Sequence, residues 1–240
     1  MVASLSESIS ENIAQVMERI AAAARSVGRD AADVKLIVVT KGHTVEVTQA
    51  AIQAGAKYIG ENYVQEALAK MESLPNEDVE WHMIGHVQSR KARDVVENFA
   101  WMHTLDRLKV ARRCDQFAAG AGVQMPVLLE CNVSSEASKH GWSAWDEMRW
   151  PEFAEELAPV FELNHLEVQG LMTMPPFFAD PEEARPYFEK LRRLRDFLVD
   201  RFPQSSWKEL SMGMSNDYAV AIQEGATFVR VGTAILGTRS

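Results

Sequence analysis

The sequence predicts a closed barrel of eight parallel strands wrapped by helices, a (β/α)8 fold, with one extra helix at its N-terminus. Three observations carry this prediction. Short apolar runs rich in Val, Ile and Leu alternate with amphipathic segments along almost the whole chain. The alternation repeats eight times, the strand count of such a barrel. No early strand runs into a Gly-rich dinucleotide turn, because the "GAGV" at 120–123 precedes a strand instead of following one. That weighs against an open doubly wound sheet.

The extra helix comes first. Leu5, Ile9, Ile13, Val16 and Ile20 recur at helical spacing, and Ser8 with Glu11 fits a capping box. A buried strand follows at about 35–40, then the helix "TVEVTQAAIQAGA", with Gly55 placed to end it. "KYIG" is the second strand. The helix "ENYVQEALAKMESL" sets Val64, Ala67, Leu68, Met71 and Leu74 on one face. "EWHMIGH" and "AWMHTL" read as strands, each followed by a helix, "SRKARDVVENF" and "DRLKVARRCDQFAAG". The strand "MPVLLECNV" leads through a polar loop to a helix ending near Glu162. "LEVQGLMTM" is backed by the long helix "DPEEARPYFEKLRRLRDFLVDRF", whose charge run reads as a solvated face. "WKELSMG" and "TFVRVG" close the set, with "SNDYAVAIQEGA" between them and "TAILG" after. No Pro/Gly/Ser-rich linker interrupts this order, so residues 1–240 read as a single domain.

Composition narrows the class of function. The net charge of −9 argues against a general nucleic-acid or anionic-membrane surface. No apolar run reaches the roughly 18 residues of a membrane span, and the N-terminus lacks the pattern of a signal peptide. Cys114 and Cys131 are too few for a disulfide framework, so a reduced cytoplasmic protein is expected. His82 and His86 are four apart but lie on a strand without a third ligand at suitable spacing, so no metal is expected.

In this fold, functional groups gather at the C-terminal ends of the strands. Lys41 is the lysine that directly terminates a clearly apolar strand. A lysine placed there can be kept neutral by desolvation and then attack an aldehyde to form an imine, although a surface lysine is the ordinary alternative. The last two strands end in "LSMGMSND" and "RVGTAILG". Loops at these places, opening onto helix N-termini, are the recurrent phosphate site of such barrels. Gly213 and Gly232 would let the backbone approach an anion, with Ser211, Met212, Ser215 and Thr233 around it. In a closed barrel the last strand pairs with the first, so this anion site and Lys41 become neighbours. An aldehyde that carries a phosphate suits the pair, and pyridoxal 5′-phosphate (PLP) is the candidate. Arg230, if turned inward, would face either the pyridine nitrogen or the phosphate, and a structural role is the other reading. His86 at its strand end would line the pocket. Lys139 is either a second pocket amine or a solvated loop lysine. Trp142, Trp145 and Trp150 mark either a partner surface or local packing.

The motifs "TK" at the first strand end, "GENYVQEA", "WHMIGHVQSRKAR", "LEVQGLM" and "LSMGMSNDYAVAIQEGATFVRVGTAILG" closely resemble the YggS/PROSC family of pyridoxal-phosphate homeostasis proteins. The resemblance covers the chain from about Lys35 to Gly237. It implies a PLP barrel of fold type III, like the N-terminal domain of alanine racemase, with an internal imine on Lys41. It further implies that Asn62, Ser211, Arg230, Gly232 and Thr233 contact the cofactor. The implied role is buffering or delivery of PLP, with apo PLP-dependent enzymes as partners and no catalytic residues. The alternative is a racemase-like enzyme of the same fold. Fold type III racemases add a C-terminal β domain that brings a second acid/base group, and this chain runs only eight residues past Gly232. A monomeric carrier is therefore expected. Arg90 stands where relatives more often carry asparagine, and "WSAWDEMRWPEF" is expanded and Trp-rich.

Overall fold

A computed structural model describes residues 5–75, 77–136 and 140–238. Its elements, in chain order, are α1 (Leu5–Ser26), β1 (Lys35–Val39), α2 (Val45–Gln53), β2 (Tyr58–Glu61), α3 (Val64–Ser73), β3 (Glu80–Met83), α4 (Ala92–Asn98), β4 (Trp101–Leu105) and α5 (Leu108–Ala121). There follow β5 (Met125–Asn132), β6 (Trp142–Ser143), α6 (Trp150–Leu157), β7 (Leu166–Met172), α7 (Arg185–Arg201), β8 (Glu209–Ser211), α8 (Tyr218–Gln223), β9 (Phe228–Val231) and α9 (Thr233–Leu236).

Eight of these strands close a parallel barrel in the order β1-β2-β3-β4-β5-β7-β8-β9, with β9 returning to β1. All eight predicted strands are present. The closing register sets Ile37 beside Arg230 and Val38 beside Val231, so the chain's last strand delivers its C-terminal end next to Lys41. A ninth strand, β6, escaped the periodicity because it is only two residues long. It pairs with the end of β5, Cys131 beside Trp142.

The core has two compartments. Outside the strands, helix faces pack on the barrel through residues such as Ile20, Ala67, Val110, Leu157, Phe188 and Leu198. Inside it, Ile37, Ile84, Leu128, Met172 and Phe228 form a smaller apolar cluster. His82, His103, Ser211 and Arg230 are buried as well. Parallel barrels are usually filled by branched aliphatics, so a polar column at the centre is a departure that needs partners.

Several local expectations are corrected. Ser8 is not an N-cap: α1 is already helical at Leu5, which puts Ser8 inside the helix. Ile9, Val16 and Ile20 of the predicted stripe are buried, while Leu5 stays exposed. Lys70 of α3, outside the apolar face the spacing predicts, is buried as well. In the Trp-rich stretch, Trp142 and Trp150 are packed, their indole N–H groups donating to the Leu105 and Ala144 carbonyls, and Trp145 is half-exposed. The charge run of α7 is a solvated face laced by pairs such as Arg193–Glu147 and Arg192–Glu224, while Phe188, Leu191, Leu194 and Leu198 point inward. Both cysteines are buried, and burial pushes the Cys114 thiol up to about 12, so both read as structural. Lys139 lies outside the described residues. Among the described residues no helix is long and apolar enough to cross a membrane.

Candidate functional site

A cavity of about 250 Å³ opens at the C-terminal end of the barrel, between β1, β2 and the loops after β8 and β9. Six of the residues singled out from sequence line it: Lys41, Asn62, Ser215, Arg230, Gly232 and Thr233. Val39, His43, Ile84, Met174 and Met214 complete the wall; these carry no sequence signal beyond lying near strand ends.

Lys41 sits in a turn two residues beyond β1, and both of its neighbours are held from below. Thr40 donates its hydroxyl to Glu61 Oε1 at 2.6 Å, and its carbonyl accepts from Lys70 Nζ at 2.7 Å. Gly42 N–H donates to Glu66 Oε1 at 2.5 Å. The Lys70 ammonium joins the arrangement, 2.6 Å from Glu61 and 2.7 Å from Glu66. Glu61 is fully buried, and burial raises its pKa against the opposing pull of Lys70 and Thr40. This support was missed because Lys70 falls on the helix face where α3 meets the turn, a tertiary fact that a charge on a helix does not announce.

Asn62 follows Glu61 at the end of β2. Its backbone presses on Gly85, where an added Cβ would lie 2.3 Å from the Asn62 carbonyl oxygen, so only glycine fits there. The side-chain Oδ1 of Asn62 is buried without a hydrogen-bond partner. On a cavity wall, such an orphaned acceptor is the mark of a site made for a ligand's donor.

Arg230 points into the barrel from β9 and is only 4% exposed. Its Nη1 donates to Ser211 Oγ at 2.6 Å and its Nη2 to the Thr173 carbonyl at 2.9 Å. Burial lowers its pKa to about 10, opposed by Asp217 and Glu130, so it keeps its charge at neutral pH. The guanidinium floors the cavity. Ser211 and Met212 do not line it; both are fully buried beneath, Ser211 as a partner of Arg230 and Met212 as core. Gly213 takes φ +92°, and a Cβ there would meet Ala221 Cβ at 2.6 Å and Tyr218 Cα at 2.8 Å. Its missing side chain serves the close packing of α8 rather than approach to an anion. Asp217 then fixes the loop by accepting the Met214 N–H at 2.6 Å.

His86 lines a second chamber of about 480 Å³, which shares Asn62, Ile84 and Met174 with the first. Its Nδ1 is 2.9 Å from Asp106 Oδ2, and its ring stacks on His140 at 4.2 Å. These three residues have the spacing of a metal cluster. The Asp106 carboxylate, however, already receives Arg107 Nη1 on both oxygens at 2.6 and 2.7 Å. Glu130 also faces this chamber; burial, reinforced by Asp106, raises its pKa to about 7.

The family model described as alanine racemase, N-terminal domain, matches residues 7–240. A pyridoxal phosphate homeostasis protein of Pseudomonas aeruginosa is 42% identical over 231 residues, covering 96% of each chain. Its counterpart in Aquifex aeolicus is 40% identical over 95% of this chain and 97% of its own. Among solved structures, PipY of Synechococcus elongatus PCC7942, with PLP bound, superposes with a TM-score of 0.79 at 34% identity, covering 95% of this chain and all of PipY. This chain belongs to the alanine racemase N-terminal-domain family and, within it, to the pyridoxal phosphate homeostasis proteins.

Proposed function

We propose that this protein binds pyridoxal 5′-phosphate in the cavity above Arg230, holds it as an imine on Lys41, and serves intracellular PLP homeostasis as a monomeric carrier without turnover of its own. One observation carries the reading: an amine, an orphaned buried acceptor, a buried guanidinium and a hydroxyl- and glycine-bearing loop pair all line one small cavity. When bound, PLP supplies an aldehyde that condenses reversibly with amines.

The chain's own residues divide the work. Lys41 provides the amine from a turn whose backbone is fixed on both sides. Asn62 Oδ1 accepts from the ring's hydroxyl side. Ser215, Gly232 and Thr233 receive the phosphate. Arg230 faces the pyridine nitrogen; having donors and no acceptor, it holds that nitrogen unprotonated, which makes the ring a poor electron sink. Support for a carrier comes from this last feature and from the relatives, which are named for homeostasis. Release of the cofactor to apo-enzymes completes the role.

The test is the visible spectrum of the protein titrated with PLP, followed by borohydride reduction and peptide mass mapping. The expected result is an imine band and a reduced adduct on Lys41, both absent in Lys41→Ala. An adduct on another lysine, or none, would remove Lys41 from the mechanism. Incubation with L-alanine in deuterated water checks the racemase-like alternative: exchange at Cα with turnover would overturn the carrier reading.

A further inference from the structure

The polar column inside the barrel forms a continuous chain. Arg230 Nη1 is 2.6 Å from Ser211 Oγ, Ser211 Oγ is 2.9 Å from His103 Nδ1, and His103 Nε2 is 2.9 Å from His82 Nδ1. The far nitrogen, His82 Nε2, stands 3.6 Å from Glu80 Oε2. Ser211, His82 and His103 are fully buried, whereas the Glu80 side chain is 52% exposed at the opposite mouth of the barrel. Four strands contribute, β9, β8, β4 and β3, so this column is built by the fold and by no local motif.

Its Arg230 end fixes its direction. Arginine can only donate, so Ser211 Oγ accepts from Arg230. The Ser211 proton then goes to His103 Nδ1, leaving His103 to carry its proton on Nε2 and give it to His82 Nδ1. His82, accepting at Nδ1, then carries its proton on Nε2, which has no hydrogen-bond partner; the Glu80 carboxylate lies 3.6 Å away, a charge contact only. The reverse polarity would set a ring N–H against Ser211 Oγ and leave the Ser211 proton unplaced, in an interior where that is costly. Burial disfavours the charged form of both rings, most strongly for His103, which agrees with two neutral imidazoles. Lys35, paired to Glu209 at 2.9 Å near the same mouth, adds positive charge that opposes protonation of both rings.

We infer that His82 and His103 form a one-way hydrogen-bond chain from His82 through the barrel interior to Ser211, and that His103 is a positioning residue which fixes the Arg230 guanidinium against the floor of the cavity. The chain leaves the guanidinium no freedom to turn toward Ser211's other side, because Ser211 Oγ is committed to His103 and Nη2 to the Thr173 carbonyl. Its consequence for the cofactor rests on the PLP reading; its direction does not.

The experiment therefore has two readouts on the intact protein. Long-range ¹⁵N–¹H correlation of the imidazoles at neutral pH, without added PLP, reports the tautomers. Both His82 and His103 are expected as neutral rings protonated on Nε2, and an Nδ1–H tautomer or an imidazolium at either would overturn the chain. The second readout is PLP titration of His103→Leu, expected to weaken binding roughly tenfold, about the effect of one lost neutral hydrogen bond, and to shift the bound absorption band. His103→Asn, which keeps an acceptor near the Nδ1 position, is expected to restore most of the affinity. Wild-type affinity and spectrum in a folded His103→Leu would overturn the positioning role. If His103→Leu does not fold, the tautomers of the unaltered protein still decide the direction. Failure of PLP to bind the unaltered protein counts against the proposed function and leaves the tautomer result standing.

Discussion

Beneath Lys41 the barrel gathers three charged side chains, Lys70, Glu61 and Glu66; beneath Arg230 it gathers a serine and two histidines held neutral by burial. The two supports also grip different parts of their clients. The charged cluster holds backbone, the Thr40 carbonyl and the Gly42 N–H, on either side of Lys41. The neutral column holds a side chain, the guanidinium itself. The contrast fits the two proposed tasks. A lysine that exchanges its covalent partner needs a fixed root, while an arginine that sets the character of a ring needs a fixed head group.

The supports should fail differently, and the largest loss is expected under Lys41. Lys70→Met leaves Glu61 fully buried beside Glu66 with its countercharge gone. Breaking a buried pair in this way costs about 3–5 kcal/mol, chiefly through the stranded charge. Denaturant unfolding should show this loss, and adding Glu61→Gln should return a large part of it, because a neutral amide removes the stranded charge and still accepts from Thr40. Equal losses in the single and double variants would mean that the cluster acts through packing, and the contrast between a charged and a neutral support would lose its basis.

Much of this was legible in the sequence. Most of the eight strands were readable as apolar runs, and the three-residue β8 from its place in the strand–helix alternation. The closure of β9 on β1 followed from the count, and it brought Lys41, Arg230, Gly232 and Thr233 together as expected. Ser211 and Met212 were placed in the right loop but on the wrong side of its wall, since a strand end reveals which loop a residue belongs to more readily than whether it faces cavity or core. The two supports were hidden for a common reason. Lys70 looks like a surface lysine on an amphipathic helix, and His82, His103 and Ser211 look like single polar residues on apolar strands. Lys70 finds Glu66 four residues away on its own helix, but it meets Glu61 on a strand nine residues away. The column's partners lie 19 to 108 residues apart, so these pairings emerge only after the barrel closes.

A second difference lies in how each support meets pH. Glu130 acts on Arg230 through its charge, and burial raises its pKa from the ordinary 4.5 to about 7. Between those values the folded protein holds a proton that the unfolded chain has already released. Stability from this group is therefore intact below pH 4.5 and declines as pH rises to about 7, by about 3 kcal/mol in all. Glu130→Gln removes the ionisation while keeping the shape. Melting temperatures of the two proteins should converge in acid and separate toward neutral pH, with the variant the more stable. Parallel curves would show that Glu130 ionises in the folded barrel as it does in water, its burial offset by Arg230 and Arg107.

The smallest effect is expected from cutting the neutral column at its link to Arg230. Ser211→Ala removes the acceptor for Nη1 and the donor for His103 Nδ1 together, with little change in volume. Neither partner is itself deleted, and the guanidinium keeps the Thr173 carbonyl, so the loss should be about 1–3 kcal/mol, below that of Lys70→Met. The sharper sign lies in His103. Without the serine proton, nothing obliges its Nδ1 to stay bare, and the imidazole spectrum should show a mixture of tautomers where the intact protein shows one. A fixed Nε2–H ring in Ser211→Ala would place the origin of the polarity at Glu80, at the other mouth of the barrel, and Arg230 would then be the end of the chain without being its cause.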